Sequence, residues 1–198
     1  MKTNLGISSE PPKSIPYPAQ NDPEGANHGF KRLKFTDIDI GSIPEAAADP
    51  QLLDLIREIN KGDGPLFSVG CDNLCIEGSN NRFVARSYIE VAFNEIEQAG
   101  DQASYFWLFV KFTEYAKAIN LPLYVLFEIR RVEPLEHMAS GFTVEIWIMI
   151  PATPTREQVI DLWRSGLLEL KKFIASLPKE NGGTPIYAAC SEAEIRKH

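Results

Sequence analysis

Across residues 83–177 the chain alternates two hydrophobic spacings almost without a break. A period of two, which places alternate side chains on one face of a strand, runs through FVARSYIEVAF (83–93), YVLFEIRRV (124–132) and FTVEIWIMI (142–150). A period near 3.6 runs through residues 104–119 and 156–177 and predicts two long helices. In the first strand run, Phe83, Ala85, Ile89, Val91 and Phe93 share one face, while Arg86, Tyr88 and Glu90 share the other. The next two runs turn Val125, Phe127, Ile129, Val144, Ile146 and Ile148 toward the helices. Their opposite face carries Tyr124, Leu126, Glu128 and Arg130 from one strand, and Thr143, Glu145, Trp147 and Met149 from the other.

Upstream, Asp49-Pro50 reads as a helix N-cap followed by proline at the first helical position. Leu52, Leu55, Ile56 and Ile59 continue at helical spacing, and Gly62 is the stop. Strands are expected at 66–70 and 74–77, with a turn at Gly78-Ser79-Asn80-Asn81. The helix over 104–119 has a narrow polar stripe, chiefly Ser104, Lys111, Glu114 and Lys117, so it is expected to be covered on more than one side. The last helix opens after Thr153-Pro154 with a Thr155–Gln158 capping box, and Pro178 and Gly182-Gly183 end it. A short strand at 186–189 and a half-turn capped by Ser191 and Glu194 are expected to follow.

The resulting order is α-β-β-β-α-β-β-α. The short connection at 133–140 suits an antiparallel hairpin. We therefore expect an α+β fold, an antiparallel sheet of four to five strands with helices packed mainly on one face. At 198 residues the chain suits one domain, taken as 36–198. Residues 1–35 hold five prolines among Ser, Asn and Gly and read as a flexible or extended arm, with Phe30, Leu33 and Phe35 to tack its end down.

Charge narrows the function classes. A net charge of −7 disfavours binding to nucleic acid, which needs clustered Lys and Arg, and disfavours anionic membranes. No run reaches the ~18–20 apolar residues of a membrane span, and residues 1–14 lack the apolar core of a secretory signal. Three cysteines (Cys71, Cys75, Cys190) are too few for a disulfide framework and suit reduced thiols in a cytoplasm.

Candidate chemistry is sparse. Cys71 and Cys75 are separated by three residues rather than the two of a redox pair, and Cys190, His28, His137 and His198 have no matching ligand spacing. Two buried structural thiols are expected, with no metal and no cofactor. His137 follows Glu133-Pro-Leu-Glu136 in a hairpin loop without a nucleophile motif, and reads as an exposed loop histidine. Gly62-Asp-Gly64-Pro65 is a turn, not a phosphate loop.

The polar strand face remains. Arg86, Tyr88, Glu90, Tyr124, Glu128, Arg130, Glu145, Trp147 and Met149 form the candidate partner-binding set, because Tyr, Trp, Met and Arg together mark interfaces. The expected function is a non-catalytic, cytoplasmic protein-binding module of chaperone, immunity or inhibitor type. Its partner would be another protein, a second copy of the chain included. The competing expectation is a small-molecule sensor or enzyme whose pocket is lined by Tyr, Trp and Glu of this face.

Overall fold

The computed structural model describes residues 1–22, 25–72, 74–79 and 82–179. Elements follow in the order β1 (Lys2–Ile7), β2 (Lys13–Ile15), β3 (Gln20–Asp22), β4 (Gly25–Asn27), α1 (Pro44–Ala47) and α2 (Pro50–Ile59). Then come β5 (Leu66–Cys71), β6 (Cys75–Ser79), β7 (Arg82–Phe93), α3 (Ile96–Gly100) and α4 (Gln102–Ala116). Strands β8 (Tyr124–Leu135) and β9 (Gly141–Thr153) and helix α5 (Arg156–Ala175) complete the described chain. From α2 to α5 the expected order holds, with the short α3 inserted. Strands β1 to β4 and helix α1 are additional. The expected strand at 186–189, the glycine stop and the last half-turn lie outside the described residues.

The main sheet has seven strands rather than four to five. Its path is β1-β8-β9-β7-β5, with β2 continuing beside β8 and β6 beside β7. Pairings among β5 to β9 are antiparallel, as expected, but β1 and β2 both run parallel to β8. The sheet is therefore mixed. Residues 2–7 are extended, and they are hydrogen-bonded into the sheet.

Local signals explain the boundaries. Asp49 accepts from the amides of Gln51 (2.8 Å) and Leu52 (3.4 Å), and its second oxygen accepts from Arg164 of α5 (2.9 Å), so one cap also joins two helices. Thr155 Oγ1 accepts from the Gln158 amide at 3.2 Å and fixes the start of α5. Gly166 lets α5 lie close on the sheet, because a Cβ there would stand 3.1 Å from Leu123 and 3.2 Å from Ile148.

The core lies between the sheet and helices α2, α4 and α5. Phe112 of α4 packs 5.1 Å from both Phe127 and Phe173, measured between ring centres. Phe127, Val144, Ile146 and Ile148 are buried on the helix side, which is the face the strand period assigned. Ser87 shares that face and accepts a hydrogen bond from the Trp163 indole at 2.6 Å. Helix α4 is covered on two sides, by the sheet through Phe127 and by α5 through Phe173, and its third side is open. Among the described residues nothing covers the outer side of α4, where Phe106 (37%), Trp107 (40%) and Val110 (50%) are exposed. Helix α5 shields only one flank, through Tyr115 and Glu169.

Candidate binding face

The side of the sheet away from the helices is organised in rows, because residues paired across neighbouring strands point the same way. One row runs Gly6, Glu128, Glu145, Glu90, Gly70 across β1, β8, β9, β7 and β5. The next holds Asn4, Leu126, Trp147 and Tyr88. The third runs Lys2, Tyr124, Met149, Arg86 and Cys75. These rows hold eight of the nine candidate residues, and Arg130, paired with Thr143, adds the ninth on the same face; they divide into a closed polar end and an open aromatic end.

At the closed end Glu90 and Glu145 are buried and directly paired. Lys13 of β2 forms an ion pair with Glu90, and its Nζ lies 4.0 Å from Glu145. Thr143 Oγ1 donates to Glu90 at 2.6 Å, Arg130 donates to Glu145 at 2.7 Å, and Arg130 also pairs with Glu10. The Trp147 indole donates to the other oxygen of Glu145 at 3.2 Å. Burial pushes the Glu90 carboxyl above its ordinary pKa, against the Lys13 charge and the Lys13 and Thr143 hydrogen bonds, and the Glu145 charge adds to the rise. Two carboxylates facing each other in a sheet repel. This end is a neutralised structural cluster rather than a free acid–base pair.

The segment after β2 closes that end. Tyr17 donates to the Val69 carbonyl of β5 at 3.1 Å, so the chain passes from the β8 edge to the β5 edge. Gly70 makes the passage possible. A Cβ there would lie 3.0 Å from the Tyr17 hydroxyl and 3.8 Å from Glu90. Ile15, Val132 and Leu135 are fully buried under this cover.

The open end is different. Tyr88 and Trp147 pack at 4.8 Å between ring centres, tilted by 42°. Both are half-buried, as are Leu126, Met149 and Glu128, while Tyr124 and Arg86 are exposed. The Lys2 ammonium lies 5.4 Å from the Tyr124 ring centre. Burial, with the nearby charges of Glu90 and Glu145, raises the Tyr88 phenol, so its hydroxyl stays protonated.

Beside the β5 edge lies a half-open cavity of about 300 Å³, with Leu33, Ile43, Ile56 and Val69 among its apolar lining and Tyr17, Tyr88 and Cys71 among its polar groups. Neither Glu90, Glu145 nor Trp147 lines it. Burial, followed by the charges of Glu45 and Asp72, pushes the Cys71 thiol up to about 12, so it stays protonated at neutral pH. The expectation of two buried thiols is half met: Cys71 is half-buried, whereas Cys75 is exposed on β6 and both are unbridged. Cys190 and His198 lie outside the described residues. His137 is exposed in the turn after β8, within 3.5 Å of Arg32.

Sequence reading missed the Lys13 cation and the cover supplied from residues 10–17. One signal was present. A face carrying Glu90, Glu128 and Glu145 against Arg86 and Arg130 is short of a cation, and Lys13 supplies it. Among the described residues no helix is long and apolar enough to cross a membrane, and no group of three or more His, Cys, Asp or Glu is placed to hold a metal ion. No family model, curated protein or solved structure matches the chain.

Proposed function

We propose that the chain is a non-catalytic protein-binding module whose binding surface is the open end of the sheet face. The observation that carries this is the pair of in-register rows Leu126-Trp147-Tyr88 and Tyr124-Met149-Arg86. They set aromatic, Met and Arg side chains half-exposed on a three-strand platform, a composition enriched where proteins bind proteins. The neutralised glutamate cluster behind Trp147 fixes the indole, which keeps the entropy lost on binding small. The net charge of −7 suits a partner that is neutral or basic at its contact. Chaperone, immunity or inhibitor action in a cytoplasm is consistent with such a module.

The test is capture of partners on immobilised wild-type chain, repeated with Trp147→Ala and Arg86→Glu. A specific partner should be retained by the wild type and weakened by about 2 kcal/mol or more with Trp147→Ala. Arg86→Glu should give a smaller loss that shrinks as salt rises. A partner held equally by all three proteins would refute this surface.

A second reading, a small-molecule sensor, rests on the cavity of about 300 Å³ beside β5, a size at the lower end of ligand sites. It would use Tyr17 and Tyr88 as hydrogen-bonding groups. Saturable binding abolished by Val69→Trp, with Trp147→Ala still binding, would favour it over the protein-binding reading.

A further inference from the structure

The β1 edge of the sheet carries a second surface, separate from the open face. Strand β1 lies at one end of the sheet path and pairs on one side only among the described strands. Its ladder with β8 uses alternate residues: the Lys2 amide bonds to the Leu123 carbonyl at 3.0 Å and the Ser8 amide to the Ile129 carbonyl at 2.8 Å. In a parallel ladder this leaves the amides and carbonyls of Thr3, Leu5 and Ile7 pointing away from β8. The side chains of those same three residues face the helix layer, since Thr3 Oγ1 lies 3.2 Å from Thr113 Oγ1 of α4.

Helix α4 runs opposite in direction to β1 and reaches this edge at Thr113, its earlier turns contacting β8 and β9. Thr113 stands at Thr3, Phe109 packs 5.6 Å from Phe127, which pairs with Leu5, and the Tyr105 hydroxyl reaches the Phe142 carbonyl, beyond Ile7. The helical positions facing the same way as Thr113 are Phe106 and Val110, spaced by three and four residues. They are 37% and 50% exposed, and Ile7 is 62% exposed. An open strand edge is thus flanked by exposed apolar side chains on its helix side. It holds no proline and no bulge, and its only charged residue is Lys2 at its start. Such an edge is a template for another strand.

We propose that the occupant is β1 of a second copy, paired antiparallel across a two-fold axis. Three observations favour it over an unrelated segment. A strand completing this edge must present apolar side chains toward the helices and polar or small ones away, and β1 itself does so, with Leu5 and Ile7 on one side and Lys2, Asn4 and Gly6 on the other. The outward backbone groups sit on odd residues, so an antiparallel register placing Leu5 opposite Leu5 of the second copy, and Thr3 opposite its Ile7, joins bonding positions to bonding positions. The same axis sets the two α4 helices antiparallel. The acidic lead into one, Glu97 of α3 and the Asp101 cap of α4, then lies toward the end of the other, where the C-cap Lys117 is exposed. An isologous contact needs this self-complementarity in both shape and charge.

The test is sedimentation of the full chain over a wide concentration range, together with amide hydrogen exchange. The wild type should form a dimer, and the Thr3, Leu5 and Ile7 amides should be slow to exchange only where the dimer is populated. Ile7→Lys and Val110→Glu should each abolish the dimer. Their melting temperatures should match that of the dilute wild type, since both positions are exposed within one chain. Trp147→Ala should leave the dimer intact. A wild type monomeric throughout, or a dimer that survives Ile7→Lys, would overturn the proposal. So would a dimer dissolved by Trp147→Ala, which would place self-association on the open face instead.

Discussion

Glu90 of β7 and Glu145 of β9 stand directly opposite each other in an antiparallel pair, and both are buried. Alone, that arrangement would be strongly unfavourable, because each carboxylate loses hydration and repels the other. Lys13 and Arg130 offset it from two sides, one from the N-terminal segment and one from β8. The N-terminal segment is therefore an electrostatic part of the sheet as well as a pair of added strands.

Removing the Lys13 ammonium should be costly because the carboxylates stay buried. Lys13→Ala is expected to lower stability by about 3 kcal/mol, the range for breaking a buried pair from one side. Adding Glu90→Gln to that variant should recover a large part of the loss, since no unpaired charge then remains at that position. Urea melts of the two single variants and the double variant measure the coupling. Additive losses would mean that Lys13 and Glu90 do not act as a pair.

The raised pKa of Glu90 fixes the direction of a pH effect. At pH values below its ordinary 4.5 the group is protonated in both folded and unfolded chains and exerts no pull. As pH rises past 4.5, the unfolded chain releases the proton while the folded one holds it, so this group's contribution to stability falls until Glu90 ionises in the fold. In Glu90→Gln that fall should vanish, and the difference in melting temperature between the two proteins should change in the variant's favour above pH 4.5. A constant difference from acid to neutral pH would contradict the shift.

Strand faces were legible in the sequence because a period of two is imposed by backbone geometry, and β7, β8 and β9 keep it through their central pairs, from Ala85 to Val91, Tyr124 to Arg130 and Val144 to Ile150. The same period put Glu90, Glu145 and Trp147 together on the face away from the helices. It could not separate the closed end from the open one. That distinction depends on Lys13, Ile15 and Tyr17, whose contacts join segments some 50 to 120 residues apart. A parallel strand such as KTNLGI, held mainly by backbone bonds, leaves only a faint hydrophobic pattern. Prolines before Lys13 and after Ile15 made the segment look unpacked, although Ile15 is fully buried. Lys34 gives no sign of its place either: a lysine between Leu33 and Phe35, it is fully buried and donates to the Leu66 carbonyl at 3.1 Å.

Ser87 offers a test on the helix side of β7. Its hydroxyl accepts from the Trp163 indole, and both residues are buried. Ser87→Ala should cost about 1–3 kcal/mol by leaving that N–H without a partner. Combining it with Trp163→Phe should cost less than the sum of the single changes, since the second substitution removes the orphaned donor. Chemical denaturation of the four proteins checks this, and a neutral Ser87→Ala would show that another acceptor replaces the hydroxyl.

Truncation separates a detachable arm from an integral one. From composition alone, removal of residues 1–28 is expected to leave a cooperatively folding domain. The contacts in the fold lead to the opposite prediction for residues 1–18. Their loss removes β1 and β2, uncovers Val132 and Leu135, and strips Lys13 from Glu90. Ile15 alone represents about 2–3 kcal/mol of burial, and the broken ion pair about 3 kcal/mol more. Together these approach the whole stability of a domain, roughly 5–15 kcal/mol. The shorter deletion of residues 1–10 keeps Lys13, Ile15 and Tyr17 and loses β1, its flanking Met1 and Ser8 hydrogen bonds and the exposed Glu10 contact, so it should melt cooperatively at a reduced temperature. Calorimetry on both should show a clear transition for the shorter deletion and a weak or absent one for the longer. If the longer deletion melts as the wild type does, the cover over Glu90 and Glu145 is dispensable, and the Arg130 charge with the Thr143 hydrogen bond must suffice to hold those two groups.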